Sequence, residues 1–410
     1  MATNYIPLVL QIEILCRLAP KSLIRFQSVS KEWKSLIDSS EFNSDFIKRQ
    51  PQRKRFLLTV AYVDDEPERG ENCWIVDDED DGDDSFPQNR ISLTYPRSVN
   101  PLLYQYGDDD IKLKFVGSSH GLICFTSSLS LCGDADGLDQ YVIWNPCIRK
   151  SVSIVGDYYK DKVFVGFGVC TNSFDPKIVR INILKVPSCD NEHEHRVWQV
   201  EVYTLSAGVW RSPLTNSEWF DIDLTYHPPL VSNGFIYWCA YVTKIFGADR
   251  FTSMIVSFDL ATEKFTKIPV PDKLSQRGFR LFKLRGSLGA IQVRESMDSD
   301  EEFHEVWLTD DVSKLLTKVF TITLPDNSEV VGFRDNGQVI INKNEKHVVY
   351  LQEGGVEGFE SRPELVAYDP DLKQIKDLGL HDVRCLSFTS SYTESLLLLD
   401  QSNALNDDEE

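Results

Sequence analysis

A chain of 410 residues, 42% hydrophobic and 26% charged, can hold two or more domains or one large repeat domain. Its net charge of −20 is unevenly spread: residues 1–55 carry ten Lys/Arg against five Asp/Glu, so a small basic module precedes a large acidic one. The acidic bulk argues against nucleic acid, whose binding rests on neutralising phosphates, and favours basic partners.

The first predicted element is a helix from Ile6-Pro7 to about Leu18, with Pro7 in the first turn, where a missing N–H costs nothing. Its Leu8, Val9, Leu10, Ile12, Ile14, Leu15 and Leu18 point in nearly every direction, although a surface helix needs one apolar stripe. Gln11 and Glu13 interrupt the run and Lys21, Arg25, Lys31 and Lys34 follow it, so it reads as neither signal peptide nor membrane span. Pro20 punctuates the chain, and a second helix is expected from about Lys21. Ser30 is placed to cap a third, "KEWKSLI", by accepting from a first-turn N–H. A fourth, "SEFNSDFIKRQ", puts Phe42, Phe46 and Ile47 on one side. Four short helices in fifty residues cannot bury this much apolar surface among themselves. Leu15, Leu18, Leu23, Phe26, Val29 and Trp33 are expected to leave something over for a partner.

Beyond residue 55 the helical period gives way to short alternating strands broken by Gly, Pro, Asn and Asp. One phrase recurs: apolar alternation ending in an aromatic, a polar turn, then another apolar run. It appears as "YVIWNPCIRKSVSI", "VEVYTLSAGVWRSPL", "IVSFDLATEKFTKIPVP", "EVWLTDDVSKLLTKVFTI" and "LVAYDPDLKQIKDLGL". Its aromatics, Trp144, Tyr203, Phe258, Trp307 and Tyr368, are 59, 55, 49 and 61 residues apart, and Gly-bearing hairpins such as "SSHGLICF" and "SNGFIYWCA" precede most copies. A period near fifty with about four strands per unit predicts a β-propeller, since one blade cannot bury both faces alone. Five copies are legible. A sixth blade is expected from "FLLTV" (56–60) or "RISLTY" (90–95) with the final "VRCLSF" and "SLLLLD". The fold class is therefore mainly β with a small α-helical N-terminal module, and the propeller-like part has about six blades.

Several stretches suggest chemistry that their context does not support. "GSSHG" (117–121) satisfies the Gly-x-Ser-x-Gly pattern, but Ser119 is followed by a strand where a nucleophile elbow needs a helix. "CDNEHEH" brings Cys189, His193 and His195 together without a second cluster, so no metal site is expected. "DDEDDGDD" (77–84) and the acidic tail (401–410) read as solvated charge. Asp221 and Asp223 in "WFDIDL" share a strand face, but acid–base work needs environments that separate their pKa values. No P-loop or dinucleotide fingerprint is present, and no cofactor is expected. The nine scattered cysteines, none in Cys-x-x-Cys, read as reduced thiols of a cytoplasmic or nuclear protein.

The ordered residues Pro7, Ile14-Leu15, Arg17-Leu18, Lys21-Ser22-Leu23, Arg25-Phe26, Val29-Ser30-Lys31, Trp33, Leu36-Ile37 and Phe42 resemble the F-box over about residues 4–48. Ala19-Pro20 departs from it, since the family usually has proline and then a small aliphatic residue. "GSSHGLICF", "IWNPCIRK", "GFGVC", "NGFIYW", "SFDLATEKF" and "YTESLLLLD" resemble the F-box-associated domain of plant F-box proteins, over about residues 110–400. Some of these phrases are also similar to the S-locus F-box branch, whose members recognise basic ribonucleases.

The resemblance implies an F-box domain over residues 1–50 and an F-box-associated, propeller-like substrate-recognition domain over 55–400. It implies a non-catalytic substrate receptor of an SCF-type ubiquitin ligase. A Skp-type adaptor, and through it a cullin–RING ligase, would be one partner, and an unidentified, possibly basic protein the other. The residues implied for adaptor contact are Pro7, Ile14, Leu15, Leu18, Leu23, Phe26, Val29 and Trp33, with no membrane or nucleic-acid partner. The alternatives are an F-box protein working outside a ligase, S-locus-type recognition, and a propeller enzyme.

Overall fold

The computed structural model describes residues 6–49, 55–62, 71–78, 90–93, 95, 113–128, 138–157, 163–187, 194–213, 221–242, 252–295, 302–310, 315–350, 357–381, 383–389, 392–398 and 405–406. Four helices lead: α1 (Leu8–Leu15), α2 (Pro20–Phe26), α3 (Lys31–Ile37) and α4 (Ser40–Arg49). Pro7 precedes α1 and its carbonyl accepts from Leu10 and Gln11 N–H. The first helix is shorter than expected. After Leu15 the chain tightens, with Arg17 and Leu18 N–H bonding to the carbonyls three residues back, the narrower winding usual at a helix end. Pro20 opens α2 from inside its first turn. The Ser30 hydroxyl accepts from Trp33 N–H at 3.1 Å, the cap its sequence called for.

Six antiparallel sheets follow, one per blade. Blade 1 holds β1 (Arg55–Tyr62), β2 (Glu71–Asp77) and β3 (Arg90–Leu93). Blade 2 holds β4 (Leu113–Ser119), β5 (Leu122–Ser128), β6 (Leu138–Asn145) and β7 (Lys150–Asp157). Blade 3 holds β8 (Val163–Val169), β9 (Pro176–Pro187), β10 (Glu194–Thr204) and β11 (Val209–Arg211). In blade 4, β12 (Ile222–Leu224) and β13 (Leu230–Ser232) both pair with β14 (Phe235–Val242), followed by β15 (Thr252–Asp259) and β16 (Phe265–Ile268). A one-turn helix, α5 (Asp272–Ser275), leads to blade 5: β17 (Arg280–Leu284), β18 (Ser287–Glu295), β19 (Glu302–Thr309) and β20 (Leu316–Ile322). Blade 6 holds β21 (Ser328–Phe333), β22 (Val339–Tyr350), β23 (Glu357–Asp369) and β24 (Gln374–His381). The inner strand of blade 1 is β25 (Val383–Thr389), which pairs with β1 and touches both β21 and β4, closing the ring.

Two turns explain the recurring phrases. His120-Gly121, Asn233-Gly234 and Arg285-Gly286 have both residues at positive φ, the geometry of a two-residue hairpin whose twist matches its strands. In the third-to-fourth-strand turn, Asn145, Asp259 and Asp369 follow the repeat aromatics. Their side-chain oxygens accept the N–H two residues on, from Cys147 at 3.2 Å, Ala261 at 2.8 Å and Asp371 at 3.0 Å. The polar residue shapes the turn, while Trp144, Phe258 and Tyr368 before it are buried.

Buried ion pairs sew blades together. Arg180 on β9 donates to the Asp157 carbonyl at 2.7 Å and to Glu201 through Nε at 2.9 Å, and lies 4.5 Å from the Trp210 ring centroid. It thereby joins blades 2 and 3. Arg334, just after β21, pairs with Asp78, just after β2, across blades 6 and 1.

Three expectations need correction. "VRCLSF" forms the closing strand, but Ser395–Leu398 of "SLLLLD" form no strand. They pack as a buried strap, and the buried Asn145 amide donates to the carbonyls of Ser395 at 3.0 Å and Leu397 at 2.8 Å. The acidic run does not begin as solvated charge: Asp77 accepts from Arg55 at 2.7 Å, and Asp78 is buried against Arg334. Residues 79–84 lie outside the described residues. In the acidic tail, Leu405–Asn406 form β26 and pair with Ser151 and Lys150 on the outer edge of blade 2.

Candidate functional site

The helical module divides its apolar residues between two directions. Leu15, Leu23, Ile37, Phe42 and Phe46 are buried in one continuous cluster with Leu122, Ile148, Phe167, Leu205 and Leu396–Leu398 of the propeller. Lys48 on α4 sits 6.0 Å from the Phe174 ring centroid of blade 3. The helices are thus seated on blades 2 and 3, and their inner side is filled by the chain itself.

The outer side is uncovered. Val9 is 75% exposed and Val29 62%, and Ile6, Pro7, Leu8, Leu10 and Ile14 are exposed as well. Polar groups fix this surface from beneath. The Trp33 indole N–H donates to Gln11 Oε1 at 2.9 Å, and the Gln11 amide donates to the Ile6 carbonyl at 2.7 Å. One chain of bonds therefore ties α3 to the start of α1. Phe26 meets Trp33 edge to face, with centroids 5.4 Å apart.

Of the residues implied for adaptor contact, Pro7, Ile14 and Val29 are exposed, and Leu18, Phe26 and Trp33 are half-buried. Leu15, 1% exposed, and Leu23 are enclosed within the chain, which corrects their assignment to a partner contact: they complete the module's own core. Sequence reasoning missed Ile6, Leu8, Val9 and Leu10 as members of the site. The signal was present in three consecutive apolar residues opening a helix, which cannot all face one core.

Three of the residues that hinted at chemistry, Ser119, Asp221 and Asp223, have partners within the fold. Ser119 Oγ accepts from Val169 N–H at 3.2 Å, tying blade 2 to blade 3 at a hairpin turn. Asp223 is buried between Arg196 and the Tyr241 hydroxyl, the latter at 3.1 Å. Asp221 faces His195 at 3.1 Å. Cys189 and His193 lie outside the described residues. Among the described residues no three His, Cys, Asp or Glu side chains are placed to hold a metal ion. Burial raises the Cys147 and Cys239 thiols to about 12 and lowers the His120 imidazole.

Comparison with known proteins bears on this arrangement. The family model described as the F-box associated beta propeller domain matches residues 84–402, and that of the F-box domain matches residues 5–45. The chain belongs to the F-box-associated β-propeller family. Its curated relatives include F-box only protein 8 from Arabidopsis thaliana, 29% identical over 65% of this chain and 81% of that protein. F-box protein At3g57590 from the same plant is 26% identical over 82% of this chain and 78% of its own length. Among solved structures, the β-propeller domain of the Trilobed protease from Pyrococcus furiosus aligns at 13% identity and a TM-score of 0.34. That alignment covers 66% of this chain and 72% of that one, too distant a likeness to argue from. The helical module is thus an F-box, and the six blades are its associated propeller.

Proposed function

We propose that this chain is the substrate-recognition subunit of an SCF-type ubiquitin ligase, working in the cytoplasm or nucleus. The F-box docks on a Skp-type adaptor, and the propeller holds the protein to be ubiquitinated. The observation that supports this most is the outward apolar surface of Ile6, Pro7, Leu8, Val9, Leu10, Ile14 and Val29, on a module whose own core is already complete. Monomeric proteins rarely leave a contiguous apolar patch uncovered without an interaction to use it. In this reading the chain breaks no bond; it holds target and ubiquitin-charged enzyme together, so its contribution is proximity and orientation.

The test is co-purification from plant cells of the full-length chain and its Val9→Glu/Leu10→Glu variant. The wild type is expected to bring down a Skp adaptor and a cullin, and the variant neither. Both side chains are exposed, so the variant keeps its fold. Adaptor capture without cullin would favour an F-box protein acting outside a ligase, and undiminished capture by the variant would refute the docking surface.

A further inference from the structure

We infer, on the receptor reading above, that the propeller grips its target at the channel mouth facing away from the F-box, and that the target enters it with a protruding turn or chain end carrying an aromatic side chain. The innermost strands β25, β4, β8, β12 with β13, β17 and β21 form the ring around that channel. One of them is interrupted. In blade 4, Leu224 pairs with Ala240 and Leu230 with Tyr237, so the five residues 225–229 stand opposite only Trp238 and Cys239. Thr225 N–H still reaches the Cys239 carbonyl at 2.9 Å. Tyr226, His227, Pro228 and Pro229 are the surplus, and they bulge from the inner edge of the sheet.

Three other blades meet this bulge. The Tyr226 ring lies 5.8 Å from that of Phe164, the second residue of β8 in blade 3. His227 feels Arg280, the first residue of β17, and Glu329, the second of β21. Arg280 pairs with Glu329 and donates to the Val330 carbonyl at 3.4 Å, linking blades 5 and 6. Phe164, Arg280 and Glu329 all stand where their strands start. The F-box packs at the other end, against Leu122, Ile148 and Leu205 beside the turns, so a target held at this mouth lies clear of the adaptor side.

Tyr226 is 75% exposed, and His227, Pro228, Arg280 and Glu329 are exposed as well. The two prolines fix their own φ and restrict the residues before them, so the bulge has little backbone freedom left to lose on binding. Tyrosine and arginine are enriched among the residues that anchor protein interfaces. The charges decide what the mouth accepts. Arg280 is already met by Glu329. Partial loss of water around the ring, and then Arg280, lower the His227 imidazole against the pull of Glu329, so it is neutral at neutral pH. A charged side chain entering here would have to break the ion pair or give up water without a partner. A planar ring stacks on Tyr226 and meets the guanidinium face with the pair intact.

In the test, random disulfide-closed peptides displayed on phage are selected on the full-length chain. Those recovered are synthesised and titrated by calorimetry against wild type, Tyr226→Ala and Tyr226→Phe. They should share one Trp, Tyr or Phe. Tyr226→Ala should weaken them about ten-fold and Tyr226→Phe hardly at all. Replacing the peptide's aromatic by alanine should weaken binding to the wild type by the same factor and to Tyr226→Ala almost no further, a coupling that general damage to the fold would not produce. Melting temperatures of the three proteins should agree, since the position is exposed. Peptides with an acidic or basic consensus and no aromatic, peptides that bind Tyr226→Ala as tightly as the wild type, or no recovered peptide at all would overturn the aromatic mouth. Skp adaptor capture is read on the same three proteins and should be equal. No capture by the wild type would refute the docking reading and leave the peptide result standing.

Discussion

At the scale of single residues, the F-box separates two kinds of apolar side chain that a helical wheel treats alike. Leu15 and Leu23 are core residues, so Leu15→Ala should lower the unfolding free energy by about 2–5 kcal/mol, seen as a shifted urea midpoint. Val9→Glu should leave that midpoint unchanged and remove adaptor binding. A pull-down alone would score the two variants the same; a denaturation curve distinguishes them. Glu263 offers a residue-scale pH signature. Burial would raise its pKa, but Arg211 and Lys177, the latter at 2.7 Å, outweigh that and hold it below its ordinary 4.5. Its stabilisation is therefore present above about pH 4.5 and lost as pH falls through the depressed folded value. In calorimetry between pH 3 and 7, Glu263→Gln should be less stable at neutral pH and should show a shallower acid decline than the wild type.

At the scale of elements, the two repeating turns carried most of the information that made the propeller legible. The hairpin glycines and the aromatic–Asx phrase mark blades 2, 4, 5 and 6 because backbone geometry demands those residue types locally. Gly121 combines a φ of +77° with a site where a Cβ would lie 2.4 Å from the Thr393 carbonyl oxygen. Gly121→Ala should therefore destabilise by more than about 1 kcal/mol, the reverse of the small gain at an unstrained glycine, and should loosen the strap over Asn145. Faster amide exchange at residues 393–397 would report it. What the sequence hid is what depends on distant partners. Asp78 sits in a run that looks solvated, and only the approach of Arg334 from the far end of the chain makes it a buried ion pair. The strap was misread for a similar reason: four consecutive leucines suit a strand, but the carbonyls of Ser395 and Leu397 are taken by the Asn145 amide. The division of the F-box residues was also hidden. α1 is apolar all round, and its buried side is chosen by blades that lie more than a hundred residues on.

At the scale of the whole molecule, F-box and propeller share one apolar cluster, so they are not independent beads on a linker. Removing residues 1–50 should uncover Ile148 and Leu396–Leu398, and the truncated propeller should melt earlier and self-associate in light scattering. Point variants of the outer surface are the cleaner way to disable docking. The ring closure has a consequence for biosynthesis. The outer strands of blade 1 leave the ribosome first, yet their inner neighbour β25 is nearly the last segment made. At the usual 5–20 residues per second, β1 waits roughly 20–60 s for that neighbour. Throughout that interval the nascent chain carries an unfinished sheet, with Leu58 still lacking its partners Ile340, Leu365 and Leu380 for most of it, so its yield in cells should depend on chaperone capacity during translation.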